Sequence, residues 1–247
     1  MKPAKKTNSP WSQFMLLCEL GRISNLPSVT SNVIAAWFLN NTLNNAVIQP
    51  EAYSSLLYTI LGGWLLYVSG TTLNDGFDVK FDKEHRPERA IPSGRISQKT
   101  VCIIGFIQML IGIIILIFSA NCSPLLTGLL CAAILFYDII HKKWKGSIII
   151  MGACRLLLWL TAASANGIAI NSVTFIWSTT LFIYILGISF IAINEHKLKT
   201  GKLVGMMLAL IPVIDALSVS NHSLKLALAL VLCIPFSIFL QKQFAAT

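Results

Sequence analysis

Residues 53–82 read YSSLLYTILGGWLLYVSGTTLNDGFDVKFD. No charge occurs from Tyr53 to Leu73, and about 20 such residues are what an α-helix needs to cross a bilayer. The run then breaks into Asn74, Asp75, Asp78 and Asp82, with Lys80 and Lys83 interleaved. An uncharged span that ends in a cluster of acids is a membrane helix delivering that cluster to one membrane face.

The same pattern recurs on both sides of this stretch. Spanning segments are expected at roughly 23–40, 53–73, 100–119, 123–140, 147–166, 172–193, 203–219 and 224–241. Residues 10–21 read as an interfacial stretch before the first span. Pro212 and Pro235 interrupt the last two segments, as membrane helices tolerate when neighbours satisfy the freed carbonyls. The expected fold is an all-α polytopic membrane bundle of about eight helices, nine by another count, around a central cavity. The whole chain, 1–247, is expected to form a single integral membrane domain. Only 12% of the 247 residues are charged, about half the soluble norm, which argues against one or two soluble domains.

The formal net charge is +9, yet nucleic-acid binding is not expected. The cations occupy short loops, where they set membrane orientation. With the N-terminus inside, the inner face collects Lys2, Lys5, Lys6, Arg22, the six cations from Lys80 to Lys99, Lys142, Lys143, Lys145, Lys197, Lys199, Lys202 and Lys242. The outer face has Lys225. Both termini and the charged loops are therefore expected in the cytoplasm. The six cysteines show no metal or redox spacing and mostly lie in apolar runs. The basic N-terminus lacks a clean apolar core before Glu19 and Arg22, so a cleaved signal is not expected.

Asp75, Asp78 and Asp82 are spaced i, i+3, i+7, within an arc of about 60° on a helix. Like charges there repel and need an offset. A divalent cation is one candidate, and pairing with Lys80 and Lys83 is the bland one. Mg2+ takes hard oxygens, typically one or two carboxylates plus waters and substrate phosphates. Cations follow in the loop from Lys83 to Arg95, and Arg forks suit phosphate oxygens. Acids that hold Mg2+ beside bases that face phosphate describe a diphosphate site. Elsewhere, Asp138 and Arg155 could pair with each other, Asp215 has no evident partner, and His141 and His196 read as interfacial.

The ordered pattern Asn74-Asp75-x-x-Asp78-x-x-x-Asp82, then Arg86-Pro87, then Pro92-Ser93-Gly94-x-Ile96-Ser97, resembles the first aspartate-rich motif of the UbiA family of intramembrane prenyltransferases. Arg22-x-x-Asn25 and Tyr137 with His141-Lys142-Lys143 resemble the family too. The resemblance implies Mg2+-dependent transfer of a prenyl group from a polyprenyl diphosphate to a hydrophobic, aromatic or lipid-like acceptor within the bilayer. It implies that Asp75 and Asp78 hold the metal, supported by Asn74 and Asp82. Arg22, Arg86 and Lys142 or Lys143 would then contact diphosphate oxygens, and Asn25 would orient the head group. Tyr137 and Arg155 join the expected substrate-binding set.

The departure lies after the sixth span, where the family carries a second acidic motif. Residues 193–202 offer only Glu195. Parity brings that loop to the face of Asp75 and Asp78, so Glu195 is the expected further metal ligand, and Lys197 is expected to bind diphosphate. The alternative is a non-catalytic UbiA-like protein that binds or helps export a lipid-like or aromatic metabolite.

Overall fold

The computed structural model describes residues 9–45, 52–144, 146–193 and 201–243. Helix α1 (Pro10–Leu20) leads through a 3-10 turn (Ile23–Asn25) into α2 (Leu26–Leu43). Then come α3 (Ala52–Phe77), α4 (Val79–His85) and α5 (Gln98–Ile114), which closes in a π-helical turn (Ile115–Ser119). The bundle continues with α6 (Pro124–Ile140), α7 (Ser147–Ala163), α8 (Ser172–Ile193), α9 (Gly201–Ala209), α10 (Ile211–Ser220), α11 (Leu224–Val231) and α12 (Cys233–Gln243). No strand occurs among the described residues.

Each of the eight expected segments is helical. Among the described residues, Tyr53–Phe77, Gln98–Ser119, Ser172–Ala192, Leu203–Ser220 and Leu224–Gln243 are long and apolar enough to cross a membrane. Helices α6 and α7 are apolar but shorter. The last two segments are broken, at Leu210 and Leu232. The breaks fall two and three residues before Pro212 and Pro235, because a proline ring collides with the carbonyl four residues earlier.

Serine sets several helix starts. Ser9, Ser97, Ser123 and Ser223 each accept a backbone N–H of the first turn, at 3.1, 3.1, 3.4 and 3.2 Å. Proline follows at the first helical position of α1 and α6, where its missing N–H costs nothing. Helix α1 exposes Trp11, Phe14 and Leu17 and buries Cys18 and Leu20, an apolar stripe suited to the membrane interface.

Helix α2 is the polar axis of the bundle. It packs against α3, α7, α8, α10 and α12 and buries Ser28, Ser31, Asn32, Asn40 and Asn41. In lipid such groups must find protein partners. Asn40 does so completely: its Nδ2 donates to Ala163 O (2.8 Å) and Ala169 O (3.1 Å), and its Oδ1 accepts from Asn171 N and Thr174 Oγ1. This clamp ties α2 to the α7–α8 turn.

Helix α5 shows the membrane inversion of the usual amphipathic pattern. Val101, Gly105, Met109 and Gly112 face inward, while Ile103, Phe106, Ile107, Leu110, Ile111 and Ile114 are exposed. Small residues let α5 approach α3 closely. A Cβ at Gly105 would meet Leu73 Cγ at 2.6 Å, and one at Gly62 would meet Leu116 Cγ at 2.5 Å. Ser69 Oγ also donates to Gly105 O at 2.9 Å. Gly105→Ile should therefore overpack this seam and cost about 1–3 kcal/mol, read as a lowered midpoint in mixed-micelle unfolding. An unchanged midpoint would mean that Leu73 can swing aside freely.

Candidate active site

Helix α3 runs four residues past the expected end at Leu73. Asn74 and Asp75 therefore lie on its last turn. The helix bends at Asp78 without unwinding, since Asp78 N still donates to Asn74 O and Asp82 N to Asp78 O, both at 2.9 Å. Into this end converge the 3-10 turn before α2, the α4–α5 loop and the end of α6.

The acids do not gather round one point. Arg89 bridges two of them, its Nη1 lying 3.0 Å from Asp75 Oδ1 and 3.1 Å from Asp82 Oδ2. Arg22 Nη2 reaches Asn74 Oδ1 (3.4 Å) and Asp75 Oδ1 (3.5 Å). Asp78 Oδ2 lies 3.1 Å from His141 Nε2 and 3.4 Å from Lys142 Nζ. Asn74 Nδ2 donates to Asp138 Oδ1 at 3.1 Å. The repulsion expected of three aspartates is thus offset by Arg22, Arg89, His141 and Lys142. Lys80 and Lys83, the nearest cations in sequence, make no ion pair among the described residues.

Two other expectations change. His141 is not a bystander at the interface. Its Nδ1 lies 3.1 Å from Tyr137 O, its Nε2 faces Asp78, and its ring stacks on Tyr137 at 4.9 Å. Asp138 and Arg155 do not pair, since Asp138 serves Asn74 while Arg155 lies deeper, against α2. Arg86 and Lys143 make no ion pair among the described residues. Glu195, His196 and Lys197 lie outside the described residues.

Arg89 was missed in the sequence. It is one of several cations in a turn-rich loop, and only the fold returns it to Asp75 and Asp82. The loop is held by Ala90, buried with Leu20 and Val101, and by Arg95, which grips Glu19 of α1 bidentately at 2.6 and 2.7 Å.

Burial alone would push the Asp78 carboxyl up. The hydrogen bonds and positive charge of His141 and Lys142 outweigh it and hold the group below its ordinary range. The folded value is depressed, so the stabilisation from ionised Asp78 is complete above the ordinary aspartate value. It is lost only as pH falls through the lowered one. Acidification to about pH 5 should leave Asp78 ionised, which isotope-edited infrared of its carboxylate stretch would show.

Among the described residues no three Asp, Glu, His or Cys side chains form a cage for a metal ion. The donor chemistry nevertheless fits an ion shared with a ligand. Among the described residues the ion pairs of Asp75 use Oδ1 and those of Asp78 use Oδ2. Asp75 Oδ2 and Asp78 Oδ1 have no protein partner among the described residues. Asp82 Oδ1 and Asp138 Oδ2 are buried and unpartnered, an arrangement that calls for a cation or donor. Two hard oxygens completed by waters and phosphate are what Mg2+ accepts. A separate cavity of about 360 Å3, lined by Asn121, Ser123, Ser164 and Ile170 among others, lies at the α5–α6 and α7–α8 turns, away from these acids.

Digeranylgeranylglyceryl phosphate synthase of Methanococcus aeolicus is 27% identical over 163 residues, 64% of this chain and 55% of that enzyme. A 2-acylphloroglucinol 4-prenyltransferase of Humulus lupulus is 30% identical over 168 residues, 63% of this chain and 38% of that enzyme. The matched part thus spans about half or less of each relative. A solved structure concerning digeranylgeranylglyceryl phosphate synthase in membranes superposes with a TM-score of 0.59 at 18% identity, covering 94% of this chain and 88% of that one. That likeness speaks for the fold. The profile of the UbiA prenyltransferase family matches residues 33–246, and with nearly the whole bundle covered, the chain belongs to that family.

Proposed function

We propose that the protein transfers a prenyl group from a polyprenyl diphosphate to an acceptor inside the bilayer. The observation that carries this reading is the paired arrangement at the end of α3. Two aspartates each keep an oxygen without a protein partner among the described residues, directly beside Arg22, Arg89, His141 and Lys142.

Asp75 and Asp78 are the residues that would hold Mg2+, and Asn74 and Asp82 support them. The ion would supply Lewis-acid stabilisation of charge growing on the departing diphosphate. Arg22, Arg89 and Lys142 bind the diphosphate oxygens and are already fixed by their carboxylate partners, so little reorganisation is needed during departure. Arg86, Lys143 and Lys197 are further contacts at the mouth, and Glu195 is a candidate additional carboxylate. Tyr137 and His141, stacked at the end of α6, wall the site. The apolar bundle keeps water from the allylic cation until the acceptor captures it. The charge asymmetry of the loops supports a cytoplasmic position for this mouth and for both termini.

The test is release of inorganic diphosphate from a C20 polyprenyl diphosphate by the purified protein, with lipid extract as acceptor source. Release should require Mg2+ and stop with EDTA, and a prenylated product should appear by mass spectrometry. The single acid in residues 193–202 favours a second reading, a binding or export protein without catalysis. Saturable binding of the polyprenyl diphosphate with no release for any extract would select it.

A further inference from the structure

Arg155 lies on α7, within the bundle and away from the acidic mouth. Tyr67, whose ring centroid is 5.6 Å from its guanidinium carbon, is seven residues before Asn74 on α3. At 1.5 Å per residue that places Arg155 about 10 Å deeper than the carboxylates. A cation at such depth is costly and is normally paired.

Its partners are all neutral. Nη1 donates to Asn32 Oδ1 at 2.8 Å and Nη2 to Ser28 Oγ at 3.0 Å. Asp215 reaches it only through Asn32, whose Nδ2 donates to Asp215 Oδ2 at 2.7 Å. Asp215 is itself filled by Ser31 Oγ at 2.6 Å and Trp159 Nε1 at 3.1 Å. A guanidinium has five N–H donors, so three of them have no acceptor among the described residues. Arg155 is only half-buried, and none of its nitrogens is both enclosed and unpartnered. Asn32 and Ser28 hold the fork in a fixed orientation, and its Nε is not enclosed.

The same helices connect it to the mouth. Ser28 Oγ donates to Asn25 O at 2.8 Å, and Asn25 Nδ2 donates to Tyr67 OH at 3.0 Å. We propose that Arg155, with Tyr67 beside it, is the recognition point for an anionic group, a carboxylate or a phosphate, on the acceptor. The acceptor then enters with its charged end deep against Arg155 and its nucleophilic atom toward the diphosphate. This assignment rests on the prenyl-transfer reading for the word acceptor, but anion binding at Arg155 is measurable without any transfer.

The experiment is equilibrium binding to the purified protein in nanodiscs, by calorimetry, with no prenyl diphosphate present. The probes are benzoate, phenyl phosphate and neutral methyl benzoate. At least one anion should bind about tenfold or more tightly than the ester, because a bidentate charged contact is lost in the ester. Benzoate binding tighter identifies a carboxylate acceptor, and phenyl phosphate binding tighter a phosphate-bearing one. Arg155→Gln should abolish the preference for the anion. Arg155→Lys keeps the charge without the fork and should retain a reduced preference, which covers the case of a Gln variant that does not fold. Equal binding of ester and anions, absence of binding by all three, or an unaltered preference in Arg155→Lys and Arg155→Gln would overturn the proposal. Failure of diphosphate release would count against prenyl transfer alone and leave this result standing.

Discussion

Asp78→Asn should lower diphosphate release by about 100- to 1000-fold while leaving the protein folded. The change keeps the side chain's shape and removes its charge. Asp78 Oδ1 then no longer offers a hard anionic oxygen, and His141 and Lys142 lose their counterion at 3.1 and 3.4 Å. Losing roughly 3–4 kcal/mol of stabilisation at the leaving group corresponds to two to three decades in rate. Asp75→Asn should behave alike, since Arg22 and Arg89 both rely on its Oδ1. Arg89→Gln tests the contribution of the residue found only in the fold. It unties Asp75 from Asp82 and should cost about 10- to 100-fold, the range for groups that orient a reacting centre's ligands. Thermal unfolding followed by tryptophan fluorescence would show that each variant still folds. Wild-type rates in both aspartate variants would reject the catalytic assignment.

The bundle was legible because each span is encoded locally. Uncharged runs of membrane length announce α3, α5, α8 and α11–α12, and the loop cations give their parity. The first aspartate-rich run was legible for the same reason, since Asn74, Asp75, Asp78 and Asp82 are neighbours in sequence. What was not legible is how distant polar groups choose partners. Arg89 looked no different from Arg86 until the loop turned back. His141 resembled any interfacial histidine until α6 brought it to Asp78. The apolar composition of α2 conceals that Ser28, Ser31, Asn32 and Asn40 form one inward face, because in a membrane the interior can be the polar side. Asp215 and Arg155, sixty residues apart, are linked through Asn32, a residue that carried no signal of its own.

That link predicts the largest stability effect in the protein. Asp215 is fully buried and accepts three hydrogen bonds, two from α2 and one from α7. Asp215→Ala deletes the acceptor that, among the described residues, joins α10 to both helices. Interhelical hydrogen bonds in membranes contribute about 0.6 kcal/mol on average and up to about 1.7, so the three account for roughly 2–5 kcal/mol. Loss of the negative charge also removes the support that reaches Arg155 through Asn32, which puts the expected cost in the upper part of that range, about 3–5 kcal/mol. Asp215→Asn retains one acceptor oxygen and should cost about 1–2 kcal/mol. Unfolding in mixed detergent micelles would measure both. If the charge of Asp215 supports Arg155 through Asn32, Arg155→Met should cost less in the Asp215→Ala background than in the wild type, by about 1 kcal/mol or more. Strict additivity would show that the two charges are independent and that Asp215 acts only as a hydrogen-bond hub between α2, α7 and α10.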